Sequence, residues 1–298
     1  MTDVHISRVI GSAALVPDRA LAARVPFATT LAAAALAVAP AGQAVAQAAP
    51  VPAWLNLPAS DAAEPPSAAE NLAVIVTATD AAGRNPGDPG FAGASRGGAC
   101  RVFLADAQPV GDSELYDRAF AHLGQVVRAA GGVEALVKTP ARIPAAHIWG
   151  DASAPWRCIA GTIYHVQAAG YPRVGFVSTG AAAGGSPQAT HMAYFGLPVP
   201  VAKDPPEAVN RIVLTAQDKI LWNGREINPA ALRATLEQTA NREPQPKLEF
   251  APEPDVGYAF SAMVLGLISA SDVAGMHFID GEKHREFAAA SPAAASRP

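Results

Sequence analysis

Apolar and polar positions along this chain run through the same cycle twice. Within residues 100–179 the cycle opens on Val102-Phe103-Leu104, passes the polar turn Ala105-Asp106-Ala107-Gln108 and resumes at Pro109-Val110. Within residues 211–281 it opens on Ile220-Leu221, turns through Trp222-Asn223-Gly224-Arg225 and resumes at Glu226-Ile227. Asn-Gly between apolar runs predicts a hairpin, since both central positions favour positive φ; Asp106-Ala107 predicts a weaker one. An internal repeat of this kind governs how everything else is read.

Each opening leads into helical periodicity. Asp112 as N-cap is followed by Leu115, Ala119, Phe120, Leu123, Val126 and Val127, and Gly131-Gly132 ends the helix. In the second cycle Asn228 caps a helix that begins at Pro229 and carries Leu232 and Leu236. A short strand and an acidic loop follow, His147-Ile148-Trp149-Gly150-Asp151 in one cycle and Lys247-Leu248-Glu249-Phe250-Ala251 in the other. The next helix spans 155–169 in the first cycle, with Trp156, Ile159, Ala160, Ile163 and Val166 on one face and Gly170 as its stop. Its counterpart is capped by Asp255 and carries Val256, Ala259, Phe260, Met263, Val264, Leu267 and Ile268. Val174-Gly175-Phe176-Val177 and Met276-His277-Phe278-Ile279 close the cycles as strands.

This alternation predicts an α+β fold of two tandem two-layer modules, each a small mixed sheet with two helices on one face. Each cycle has about 70 to 80 residues, near the lower limit for an independent core, so pairing with a neighbour is expected. The modules are placed at 71–180 and 208–281. Residues 49–70 and 181–207, rich in Ala, Pro, Gly and Ser, read as linkers, and 282–298 as a disordered tail. Residues 71–79 predict an extra strand ahead of the first cycle, and the glycines of 83–98 a mobile loop.

Residues 1–48 read as an export signal. Arg19 and Arg24 precede an apolar run over 27–39, and Ala44-Val45-Ala46 and Ala46-Gln47-Ala48 are small-residue cleavage patterns. The run has about 13 residues, against the roughly 20 of a spanning helix. The expected location is periplasmic; a retained Ala-rich anchor, facing the periplasm from the inner membrane, is the alternative. Export bears on the only two cysteines, Cys100 and Cys158. A disulfide between them would close a loop of about sixty residues and contribute roughly 4 kcal/mol. Two buried free thiols are the other reading.

The chain is 50% hydrophobic and 16% charged, with a net charge of -4 and no Lys/Arg run, which argues against a nucleic-acid surface. None of the seven histidines has His-Glu-x-x-His spacing or a Cys/His neighbourhood suited to zinc. The glycines of 180–185 lack the Lys-Ser/Thr of a phosphate loop, and no Gly-x-Ser-x-Gly elbow is present. Asp151, Glu253 and Asp255 read as groups that cap helices and favour their dipoles. No catalytic, cofactor or metal site is therefore expected. Trp222, beside its turn, is either exposed to a partner or folded back over its own helix.

These residues resemble the periplasmic domain of the ExbD/TolR family of biopolymer-transport proteins. Ile212-Val213-Leu214 through Ile220-Leu221-Trp222-Asn223-Gly224 is similar to that family's opening hairpin, 229–236 to its first helix, and 247–279 to the remainder. The first cycle is more distant, but Asp112-Ser113-Glu114-Leu115 and the stretch 169–177 are similar to the same family. The resemblance implies a folded periplasmic piece that dimerises and touches cell-wall or energy-transducing partners. Members usually carry an acidic residue in an N-terminal membrane helix; residues 25–49 contain no Asp or Glu, so that proton-carrying role does not transfer.

The expected function is binding at sheet edges, with strands 174–178 and 276–279 as candidates. The candidate partner-binding residues are Trp222, Asn223, Gly224, Val174, Phe176, Met276 and Phe278. The partners expected are envelope or TonB/Tol-like transport proteins, with peptidoglycan as the alternative. The copies pair with each other as an internal pseudo-dimer, or the chain forms a homodimer.

Overall fold

The structure, a computed structural model, describes residues 52–60, 62, 70–104, 109–180, 190–197 and 209–287. The export segment, the turn at 105–108 and most of the expected linkers and tail lie outside the described residues. The first half runs β1 (Ala59–Ser60), β2 (Leu72–Ala78), β3 (Cys100–Phe103), β4 (Pro109–Val110), α1 (Asp112–Ala129), α2 (Val133–Val137), β5 (Ala146–Gly150), α3 (Trp156–Ala168), β6 (Arg173–Gly180) and β7 (Thr190–Gly196). The second runs β8 (Val209–Leu214), β9 (Ile220–Trp222), β10 (Arg225–Ile227), α4 (Pro229–Ala240), β11 (Lys247–Phe250), α5 (Tyr258–Ser269) and β12 (Met276–Phe278), followed by a 3-10 turn at Gly281–His284.

The fold is α+β with two mixed sheets. The first is ordered β6-β5-β2-β3-β4 and the second β12-β11-β8-β9-β10. Position by position the senses agree: parallel, parallel, antiparallel, antiparallel. The strand expected ahead of the first cycle is therefore its central strand, β2, the counterpart of β8. Among the described residues, two strands in the first sheet have no counterpart in the second. β7 lies antiparallel along β6 from Arg173↔Gly196 to Thr179↔Thr190, and β1 pairs with Thr179 and Gly180. Part of the expected linker at 181–207 is thus a sheet strand.

Local chemistry accounts for the helix ends. Asn228 accepts a 2.8 Å hydrogen bond from the Ala231 N–H, and Pro229 fills the first helical position. Gly131 (φ 83°) and Gly170 (φ 96°) adopt the left-handed backbone that ends α1 and α3. Two expected caps move. Gly111 holds the N-cap of α1, with Asp112 as its first residue, and Gly257 holds that of α5. Asp255 instead pairs with Arg157 of α3.

The helices α3 and α5 are apolar almost all round, the mark of a helix buried on every side, and each is covered by both halves. Trp156, opening α3, sets its ring 5.3 Å from Phe250 and 6.3 Å from Phe278 of the second sheet. Tyr258, opening α5, lies 6.4 Å from Phe176, and a Cβ on Gly150 would come within 2.3 Å of its ring. Between them Pro155 and Gly257 form an isolated antiparallel bridge. Around it the hydrogen bonds come in matched pairs. Trp156 N–H donates to Val256 O (2.7 Å) and Tyr258 N–H to Ala154 O (2.8 Å); Arg157 N–H donates to Pro254 O (2.9 Å) and Ala259 N–H to Ala152 O (2.8 Å). The halves are thus related by an approximate two-fold axis, and one continuous apolar core runs through both.

Two segments expected to be loose are held. The loop after β2 folds around Asp80, whose carboxylate accepts from the Ala82, Arg84 and Ala92 N–H groups and from Arg84 Nε. Burial opposes the Asp80 charge, but these bonds outweigh it and hold its pKa down at about 2. From this loop Arg96 reaches the second half, donating to Ala216 O and to both oxygens of Asp218. The beginning of the expected tail, residues 282–287, packs on α3. His165 Nε2 meets Arg285 O at 2.6 Å, Phe287 is buried, and a Cβ on Gly161 would stand 2.2 Å from His284 O.

Candidate binding surface

The structure places the sequence-derived candidates in quite different settings. Cys100 and Cys158 are bonded to each other across 58 residues, tying β3 to α3. Trp222 ends β9 half-buried against the core. Asn223 (φ 51°) and Gly224 (φ 82°) form the tight turn their sequence predicts and are exposed. The Asn223 side chain is already engaged: its Oδ1 accepts from Arg211 N–H at 2.7 Å and its Nδ2 donates to Asn210 Oδ1 at 2.9 Å. These bonds fasten the turn to β8, which is a structural task.

Val174 and Phe176 are not at a rim. Both are buried, and β6 is hydrogen-bonded to β5 along one edge and to β7 along the other. The expectation that 174–178 offers an open strand is therefore corrected; β7, hidden in a stretch that read as linker, closes it. Met276 and Phe278 differ. Their side chains face the core, Met276 buried and Phe278 half-buried between Phe176 at 5.6 Å and Phe195 at 5.9 Å. Their backbone lies on a terminal strand of the second sheet, which among the described residues pairs with β11 alone.

The register fixes which groups face outward. Leu248 N–H donates to Gly275 O and Ile279 N–H to Phe250 O. In a parallel ladder this turns 275, 277 and 279 toward β11 and the N–H and C=O groups of Met276 and Phe278 away from it. The other terminal strands are β7, which pairs with β6 alone among the described residues, β4, only two residues long and begun by Pro109, and β10, which exposes Arg225 and Glu226. Pro and charge are common means of keeping a sheet edge unpaired.

The titratable groups are spread through the fold. His122 Nδ1 meets the Tyr171 hydroxyl at 2.6 Å, and His147 Nε2 meets the Tyr194 hydroxyl at 3.1 Å. Burial lowers the pKa of both histidines, that of His147 to about 4 with the help of the Arg173 charge. Burial also raises Asp151, against the hydrogen bonds it accepts from Ser153 and Asn56 N–H. Asp151 thus braces its loop, while Glu253 accepts from Ala216 N–H at 2.8 Å. Neither caps the following helix as expected. His191 lies in β7 and His284 in the final 3-10 turn. Among the described residues no three of His, Cys, Asp or Glu gather as a metal site, and no helix is long and apolar enough to cross a membrane.

Two open grooves mark the surface. One, of about 710 Å³, runs between Gly97–Cys100, Arg157 and the 282–287 segment; the other, of about 590 Å³, lies where Arg96 and Asp218 meet Phe260 and Met263. The arginines at their centres already have partners in the fold: Arg157 donates to Arg96 O and Gly98 O and pairs with Asp255, and Arg96 holds Asp218. Comparison with known protein families, with characterised proteins and with solved structures finds no match.

Proposed function

We propose that this chain is a non-catalytic binding module of the cell envelope, exported to the periplasm and resembling the periplasmic domain of ExbD/TolR. In this reading its two halves serve as a built-in pseudo-dimer, accessory to energy-coupled transport or envelope maintenance. The observation that carries it is the repeated strand order, joined by matched backbone hydrogen bonds around Pro155 and Gly257. The ExbD/TolR resemblance implies a module that pairs, and here the pairing lies inside one polypeptide. The Cys100–Cys158 disulfide supports an oxidising compartment. The described histidines are scattered, and His122, His147 and His165 each meet a partner within the fold, which favours binding over catalysis.

The test is crosslinking in intact cells followed by mass spectrometry. Recovery of motor or TonB-like components is the expected result. Recovery of peptidoglycan or outer-membrane components alone would move the chain to a cell-wall role, and recovery of cytoplasmic proteins alone would overturn the reading. N-terminal sequencing of the mature protein gives the location, with a start near Ala48 or Ala49 expected.

A further inference from the structure

The two halves are built alike but finished differently, and the difference identifies a place for a partner. Asp151 N–H donates to Val76 O as Ala251 N–H donates to Ile212 O, which makes Gly150 and Phe250 counterparts. With Ile148↔Phe176 and Leu248↔Met276 in register, Met276 of β12 occupies the place of Phe176 of β6. On β6 the outer edge is filled by the seven-residue strand β7, with Ala193 opposite Phe176 and Phe195 opposite Val174. On β12 the same edge has no strand among the described residues, and its Met276 and Phe278 N–H groups point away from β11.

The residues that follow β12 are committed elsewhere. Asp280, with φ 67°, turns the chain into the 3-10 segment at Gly281–His284. The chain then docks on α3 through His165 and the buried Phe287. As far as Phe287 it does not return along β12 as β7 returns along β6. Nor does β12, three residues long, carry the Pro or the charged side chains found at the β4 and β10 rims.

We propose that the outer edge of β12 takes one extended segment from a partner protein, paired antiparallel, as β7 takes that edge of β6. This rests on the binding-module reading and sharpens it. β7 is the in-chain pattern for the ligand: it has no Asp, Glu, Lys or Arg, and Ala193 and Phe195 are set over the buried face of the sheet. Main-chain hydrogen bonds supply the attachment and the alternate side chains the selectivity. Because β7 closes the equivalent edge of the first half, each chain takes one partner strand, although its architecture is two-fold.

The probe is the peptide Thr-His-Met-Ala-Tyr-Phe-Gly, the sequence of β7, added to the full chain and followed by amide hydrogen exchange. At a concentration ten times its Kd, the Met276 and Phe278 amides are expected to exchange about tenfold more slowly. Of two control peptides N-methylated on alternate residues, the one that loses its edge-facing donors should not bind and the other should. No binding, equal binding by both controls, or protection confined to β4, β7 or β10 would overturn the proposal. So would a sedimentation result in which the chain pairs with a second copy of itself through β12. If the peptide fails while crosslinking still recovers envelope partners, the edge assignment falls and the binding-module reading stands; the reverse pair of results has the opposite meaning.

Discussion

His147 lies in β5, 8% exposed, with its ring against the Tyr194 hydroxyl. Burial and the nearby Arg173 charge lower its pKa from 6.5 to about 4. The folded protein therefore binds this proton less readily than the unfolded chain does. The resulting stability is fully present above about pH 6.5 and is lost as pH falls through about 4, on the order of 3 kcal/mol in all. Urea midpoints measured across that window should fall more steeply for the wild type than for His147→Gln; parallel curves would sink the assignment. A second prediction concerns Tyr258, which is fully buried with a hydroxyl that has no hydrogen-bond partner among the described residues. A buried, unpaired hydroxyl costs about 1–3 kcal/mol, so Tyr258→Phe should raise stability by about 1 kcal/mol in urea unfolding. A clear loss would contradict that account.

The disulfide joins elements that the sheet alone does not join, β3 at one side and α3 over the core. Replacing both cysteines by Ser should lower stability by about 4 kcal/mol, the chain-entropy value for a loop of this length. Reductant should lower the thermal midpoint of the wild type and leave that of the double variant unmoved. The elements themselves were unevenly legible in the sequence. The Asn223-Gly224 turn and the Asn228-Pro229 helix start were plain, because their signals are local and stereochemical. β7 was not, although Met192, Tyr194 and Phe195 supply its apolar side chains. Glycine-rich and proline-rich neighbours made the whole stretch read as linker, and only a place beside β6 turns it into a strand. The loop after β2 misled in the same way, since its many glycines hide the carboxylate that organises it, Asp80. Asp255 has a good cap's identity, but the loop before α5 is longer than the one before α3, and the extra length carries it to Arg157. For the candidate surface, the sequence marked β12 and β6 equally; only the pairing of β7 separates them.

At the scale of the molecule, the junction between the halves makes each one's stability the other's. Trp156 belongs to the first half by sequence, yet its ring lies against Phe250 and Phe278 of the second. Trp156→Ala should cost about 3–5 kcal/mol, as large core truncations do. Amide exchange should quicken in β11 and β12 as well as in β5 and β6, and loosening confined to the first half would show that the halves unfold separately. Joining the halves covalently has one more consequence. A dimer of separate subunits comes apart on dilution, since its apparent stability depends on protomer concentration. The seam at Pro155 and Gly257 lies within a single polypeptide, so its thermal midpoint should stay constant from micromolar to nanomolar protein. Such a molecule keeps its shape where it is scarce, a useful property for something present in few copies.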